Sequence, residues 1–178
     1  MSTLYTDNIR ANNASQITVP AGQTLYAPGH VLQVLQAHKS NTYSQTSASF
    51  TDITGLSISI TPKSASSKIL VMVRVSGQLW AAGHTYFRLV RDSTVIGDGD
   101  AAGSRTTCFS STESNYEWAT SDHSIQYLDS PSTASSVTYK VQGRAEYGTL
   151  TVNRSNRDLD SNADQRTSSQ ITVMEIAQ

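Results

Sequence analysis

The chain has little of what builds cross-linked, strongly charged or membrane-spanning proteins. Cys108 is its single cysteine, which excludes a disulfide within the chain. Charged residues make up 15% of the sequence, the formal net charge is −1, and lysine and arginine form no long run, which disfavours binding to nucleic acid. No apolar run approaches the length of a membrane-spanning helix, so we expect no membrane insertion. The N-terminus also lacks the basic and then apolar stretches of a signal peptide.

What the chain does contain favours β-structure. Ser and Thr are abundant, Leu, Glu and Lys are sparse, and Val, Ile, Thr and Tyr suit pleated surfaces. Apolar and polar residues alternate over 56–60, 125–127 and 137–141, which is typical of strands with one dry face and one wet face. Turn residues separate about eight to ten such strands, and no segment has a helical period. The sequence therefore predicts an all-β sandwich or jelly roll.

Three segments, 31–35, 69–75 and 171–176, are apolar on both faces. In the last of them, Ile171 and Val173 point to one side of a strand while Met174 and Ile176 point to the other. A strand of this kind needs cover on both sides, so one side joins the core and the other is predicted to join another copy of the chain. These segments are candidates for the centre of the sandwich and for a subunit interface. The predicted interface residues are Val31, Leu70, Met72, Met174 and Ile176.

Residues 1–29 differ from the rest of the chain. They contain Pro20, Pro28 and only short apolar patches, too few to bury a core of their own. We expect an extended N-terminal arm over 1–29 that becomes ordered against a partner or sister subunits, followed by a β-sandwich head over 30–178. The alternative is a flexible leader, since termini are often disordered unless they are tied down.

Four strings of the head resemble one recurrent domain: SASFTDITGLSISITPKSASSKILV, FRLVRDSTVIGDGDAAGSR, LDSPSTASSVTYKVQGRA and VNRSNRDLDSNADQRTSSQITVMEIAQ. That domain occurs in tail-fibre-like structural proteins of tailed bacteriophages, many of them marine and cyanobacterial viruses, and MSTLYTDNIRANNASQITVPAGQTL resembles the leader before it. The likeness covers nearly the whole chain, and GDAAGSR, LDSPST and SSQITVMEI are its most specific parts. The resemblance implies a trimeric jelly roll of the tumour-necrosis-factor or complement-C1q kind, and it brings no catalytic motif.

The resemblance implies a homotrimeric virion protein without enzymatic activity, exposed on the extracellular particle. The arm, 1–29, would attach it to other virion proteins, and distal loops would contact the host surface, where a glycan is one candidate partner. No segment is long enough for a fibre shaft, so a capsid decoration or head-fibre protein is the first alternative. A soluble carbohydrate-binding lectin is the second, although a free lectin needs no arm.

Acidic and amide side chains stand at every second position from Asp158 to Asp164, as oxygen ligands do in calcium loops. Ala163 occupies the place of the loop glycine, and Ser169 that of the final glutamate. Three arginines within 154–166 are placed to neutralise the segment. We therefore favour a solvated polar loop over a calcium site and predict no metal and no cofactor.

The four histidines are scattered, and they form no zinc pattern with Cys108 or with one another. One histidine from each of three subunits could still meet at an axis. There is no nucleophile elbow, so we predict no enzyme activity.

Large aromatic residues are the remaining candidates for a binding site. Trp80 and Tyr86 are predicted to fill the core, where large rings contribute most to stability. Tyr116 and Trp118 lie in the long stretch between Ser110 and Asp122, and they are predicted to form an outward loop that contacts the host.

Overall fold

A computed structural model describes residues 27–80, 83–113 and 116–178, except for the side chain of Trp80. Most of the predicted arm, 1–29, therefore lies outside the described residues. The strands are β1 (Val31–Lys39), β2 (Tyr43–Gln45), β3 (Thr51–Ile60), β4 (Lys68–Trp80), β5 (His84–Arg91), β6 (Thr94–Ile96), β7 (Ser110–Glu113), β8 (Asp122–Asp129), β9 (Val137–Ala145), β10 (Thr149–Val152) and β11 (Ser169–Ile176). The described residues contain no helix, and so none long and apolar enough to cross a membrane.

The eleven strands form two antiparallel sheets, and the prediction of an all-β sandwich is confirmed. The first sheet has the order β1-β11-β4-β10-β2, with β8 paired to β4. The second has the order β3-β9-β5-β6, with β7 paired to β5. The strand number exceeds the predicted eight to ten because β2 and β6, at three residues each, are too short to show alternation.

The core lies between the sheets and is made of the inward side chains of both. Every second residue of β4 from Ile69 to Val75 is buried, as are Ile171 and Val173 of β11. The second sheet contributes the buried side chains of Phe87, Leu89, Tyr139 and Val141. Full burial of such a side chain contributes about 1.5–3 kcal/mol, so this double layer supplies most of the stability of the sandwich.

The three segments that are apolar on both faces differ in their positions within the first sheet, because two are interior strands and one is an edge strand. Strands β4 and β11 pair on both edges, and their inner residues are fully buried. Among the described residues β1 pairs only with β11, so it is an edge strand, and the prediction that 31–35 lies at the sandwich centre is wrong. Val34, on the outer face of β1, remains 52% exposed, and Leu35 is 36% exposed.

The sandwich has two distinct ends. At the entry end, the backbone N–H of Gly29 donates to the Ala177 carbonyl at 2.8 Å, and that of Ala177 donates to the His30 carbonyl at 2.9 Å. Strand β4 starts at this end, where Lys68 pairs with Ile176, and it finishes at the far end, where Trp80 pairs with Thr149. The 13 residues of β4 span twelve steps of about 3.3 Å, which separates the two ends by roughly 40 Å.

Candidate functional site

The outer face of the first sheet carries rows of side chains that cross four strands. Paired residues of antiparallel strands point to the same side of a sheet, so the register defines each row. One apolar row consists of Val34, Met174, Leu70 and Leu128. The next row consists of Gln36, Thr172, Met72 and Gln126. These eight side chains, named here the neutral face, include no charged group.

Charged groups appear at both margins of the neutral face. On one side the next row contains Arg74, whose guanidinium bonds the Asp122 carboxylate at 2.7 Å. On the other side Lys68 pairs with Ile176. A shallow depression of about 370 Å³ opens beside Met72 at the Arg74 margin. An apolar centre with a charged rim is the usual anatomy of a protein–protein interface.

The five predicted interface residues lie together on this face. Leu70, Met72 and Met174 belong to the neutral face, while Ile176 and its partner Val31 adjoin it at the entry end. Their role in trimer formation stays a prediction. Sequence reasoning missed two half-exposed members, Val34 and Leu128. Tyr127-Leu128 is apolar on both sides of β8, and that signal could have identified Leu128.

Two exposed aromatic rings stand near the far end. Tyr116 is 59% exposed and Trp118 is 46% exposed, so both point outward as predicted. Their ring centroids are 5.5 Å apart and their planes are inclined at 46°. Host contact by this pair stays a prediction.

The segment that carries these rings is fastened to the loop over 153–168. The Glu117 carbonyl accepts hydrogen bonds from the backbone N–H groups of Asn156 and Arg157, both at 3.0 Å. The Arg157 guanidinium lies 5.9 Å from the centroid of the Trp118 ring. The segment of the aromatic pair and the acidic loop are therefore in direct contact through Glu117, Asn156 and Arg157.

Arginines neutralise two of the three aspartates in that loop, as predicted. Asp158 contacts Arg166 at 2.6 Å and Arg154 at 3.3 Å. Asp164 contacts Arg157 at 2.7 Å and accepts a hydrogen bond from the Ser155 hydroxyl at 2.6 Å.

These hydrogen bonds, that of Arg157 foremost, hold the pKa of Asp164 below its ordinary value. Asp160 joins none of the ion pairs among the described residues. Beside it the loop encloses a concavity of about 360 Å³, lined by residues from Asp158 to Arg166. In the described part of the chain, no three His, Cys, Asp or Glu side chains converge to hold a metal ion.

Tyr86 does not fill the core, so that prediction is wrong. Thr85 and Phe87 occupy the inward positions of β5, which turns Tyr86 to the outer face of the second sheet. There the Arg144 guanidinium lies 5.0 Å from its ring centroid, a favourable cation–π contact. The side chain of Trp80 lies outside the described residues.

One serine and one histidine do meet in the fold. The buried His123 ring contacts the Ser110 hydroxyl through Nδ1 at 2.8 Å and the Gly77 carbonyl through Nε2 at 3.2 Å. Burial lowers the pKa of His123. The second ring nitrogen, Nε2, therefore contacts a backbone carbonyl. A hydrolytic triad would have a carboxylate at this place, so the Ser110–His123 pair does not form one.

Comparison with known proteins returned no matching family model. No curated protein matches the chain either.

Proposed function

We propose that this chain is a non-enzymatic structural protein of a bacteriophage virion that assembles as a homotrimer. The observation that carries the proposal is the neutral face, because its eight uncharged side chains cross four strands on the outer side of the first sheet, and its end members Val34 and Leu128 are half exposed on a single chain. Monomeric proteins rarely expose a continuous apolar patch without a function. Two further copies of the same chain, each offering the same face, would cover it around an axis.

The strand order supports a jelly-roll head. Four strands follow the order β1-β11-β4-β8 in one sheet and four follow the order β3-β9-β5-β7 in the other, so neighbours within a sheet come from distant parts of the chain. Double-sheet jelly rolls in capsid and lectin domains have this kind of order. The resemblance to tail-fibre-like phage domains implies the same head.

The two ends of the head support an orientation on the particle. The arm, 1–29, leads into the entry end, where Gly29 pairs with Ala177. Tyr116 and Trp118 stand near the far end. In the proposed appendage the arm binds other virion proteins, and the far end points outward to the host.

Two measurements test the proposal. Light scattering of the purified chain should give three times the 19.2 kDa mass of one copy, and a monomer mass would contradict the trimer. Electron microscopy of intact particles labelled with antibodies against the chain should show label on the surface. Label on the tail favours the fibre-like appendage, dense label over the capsid favours a decoration protein, and unlabelled particles would refute the virion role.

A further inference from the structure

Near the far end, Arg157 contacts both the Trp118 ring, at 5.9 Å from its centroid, and Asp164, one of the residues that line the polar concavity. We propose that this surface, named here the far-end site, binds a neutral hexopyranose sugar. It is made by Tyr116, Trp118, Arg157 and the loop residues around Asp160. The inference rests on the proposed function only in assigning the sugar to a host surface.

The two rings supply the apolar half of the far-end site. A pyranose ring presents C–H groups on one face, and these pack against the face of an aromatic ring. Tyr and Trp suit such contacts because they offer a large rigid surface and carry a polar group at the edge. Planes inclined at 46° form an open corner, so a sugar stacked on one ring meets the edge of the other.

The corner is fixed before any ligand binds. Two backbone hydrogen bonds to the Glu117 carbonyl hold the segment between the rings against Asn156 and Arg157. Arg157 is itself held by Asp164 at 2.7 Å. A prearranged surface loses little conformational entropy on binding, which favours even a small ligand.

The concavity supplies the polar half. Its volume of about 360 Å³ lies in the range of small-molecule sites. Carboxylate, hydroxyl and amide groups of Asp160, Ser161 and Gln165 line it. These groups both accept and donate hydrogen bonds, as the hydroxyls of a sugar require.

The charges of the loop favour a neutral sugar. Three arginines and three aspartates between 154 and 166 sum to zero. Arg154, Arg157 and Arg166 pair with Asp158 and Asp164, and within the described part of the chain Asp160 is the loop carboxylate that joins no ion pair. An unpaired carboxylate accepts from hydroxyls and repels an acidic sugar.

Saturation-transfer NMR on the full chain tests the far-end site. The probes are the methyl glycosides of glucose, galactose, mannose and N-acetylglucosamine, with the methyl glycoside of N-acetylneuraminic acid as the acidic comparison. We expect saturation of ring protons on one face of at least one neutral glycoside. Trp118→Ala should weaken its binding by about tenfold or more, Trp118→Phe should retain most of it, and Tyr147→Ala, which removes another exposed aromatic, should leave it unchanged.

Several results would overturn the inference. These are the absence of saturation from every neutral glycoside, saturation from the acidic glycoside alone, or equal loss in Tyr147→Ala. Measuring the mass of each sample in parallel tests sugar binding and trimer formation separately. A trimer that binds no sugar refutes the far-end site alone, and a monomer that binds sugar refutes the trimer alone.

Discussion

Val34 of β1 and Leu128 of β8 occupy the two ends of a single apolar row that crosses four strands. Their side chains are 52% and 50% exposed, and the two residues are 94 positions apart along the chain. Met174 and Leu70 stand between them in register. The row exists only because the fold brings the start of the head, its end and its two middle strands into one sheet.

Val34→Asp should convert the trimer to a folded monomer. The side chain is half exposed on one chain, so the substitution costs the isolated fold little, whereas an unpaired carboxylate in a dry interface costs several kcal/mol. Light scattering reports the mass and circular dichroism reports the fold. Val95→Asp is the matched control, because Val95 is an exposed valine of β6 in the other sheet, and it should stay trimeric. If the Val34→Asp variant remained a trimer, the neutral face would not be the trimer interface.

The alternating direction of side chains along 69–75 and 171–176 was enough to predict the two faces of β4 and β11 there, because the core covers Ile69, Val71, Val73 and Val75 of one strand and Ile171 and Val173 of the other. It could not tell that β1 is an edge strand, because β1 pairs with β11, at least 130 positions away, and with no other strand among the described residues. Tyr86 shows a different failure. Phe87 and Leu89 mark the inward positions of β5, so alternation places Tyr86 on the outer face in spite of its large ring.

The far-end site depends even more on tertiary structure. Tyr116 and Trp118 were identifiable as loop residues, yet the sequence gives no sign that Arg157 lies beside them. The contact arises from backbone hydrogen bonds between two loops about 40 positions apart.

Gly77→Ala should destabilise the sandwich. A Cβ at this position would lie 2.9 Å from the Thr151 carbonyl oxygen and 3.1 Å from the Phe87 ring, so the pairing of β4 with β10 would have to shift. Overpacking of this kind typically costs about 1–3 kcal/mol. Urea unfolding measures the loss. Gly99→Ala is the control, because nothing lies within 4 Å of its Cβ, and the two variants should differ clearly. Equal stability would contradict the close approach at Gly77.

Asp129→Ala should destabilise the fold strongly. The buried Asp129 carboxylate accepts from Arg91 at 2.7 Å and from the Tyr139 hydroxyl at 2.6 Å. Burial, and then the bond to Asp129, raise the pKa of Tyr139, so its hydroxyl stays a donor. Removing the carboxylate deprives the Arg91 guanidinium and the Tyr139 hydroxyl of their acceptor, and it should lower the free energy of unfolding, measured in urea, by about 3–5 kcal/mol.

The surface pair of Lys140 and Asp52 provides the comparison for that variant. Its Nζ–Oδ2 distance is 2.8 Å, close to that of the buried pair, but Asp52 is exposed. Lys140→Ala should therefore cost below about 1 kcal/mol. A loss as small in Asp129→Ala would show that the Arg91–Asp129 pair contributes no more than a surface pair.

Asp98→Asn should stabilise the protein at neutral pH and not at low pH. Both carboxylate oxygens of Asp98 are shielded from solvent, and among the described residues no donor with hydrogen-bond geometry lies within 3.5 Å of them, so the polar contact with Thr107 is a weak one. Burial raises the pKa of Asp98, although Arg88 and Thr107 oppose the shift. Because the carboxyl pKa is raised in the folded state, folding is favoured while Asp98 is protonated. This contribution to stability is lost as the pH rises from the ordinary pKa of about 4 through the raised pKa.

Urea unfolding between pH 3 and pH 7 should show that the free energy of unfolding of Asp98→Asn exceeds that of the unmodified chain by an amount that grows with pH and then becomes constant. Asp100→Asn is the control for the loss of one negative charge, because Asp100 lies at an exposed position of the same turn. A gain in Asp98→Asn that is constant with pH, or equal to that of Asp100→Asn, would contradict the burial of an ionised carboxylate at Asp98.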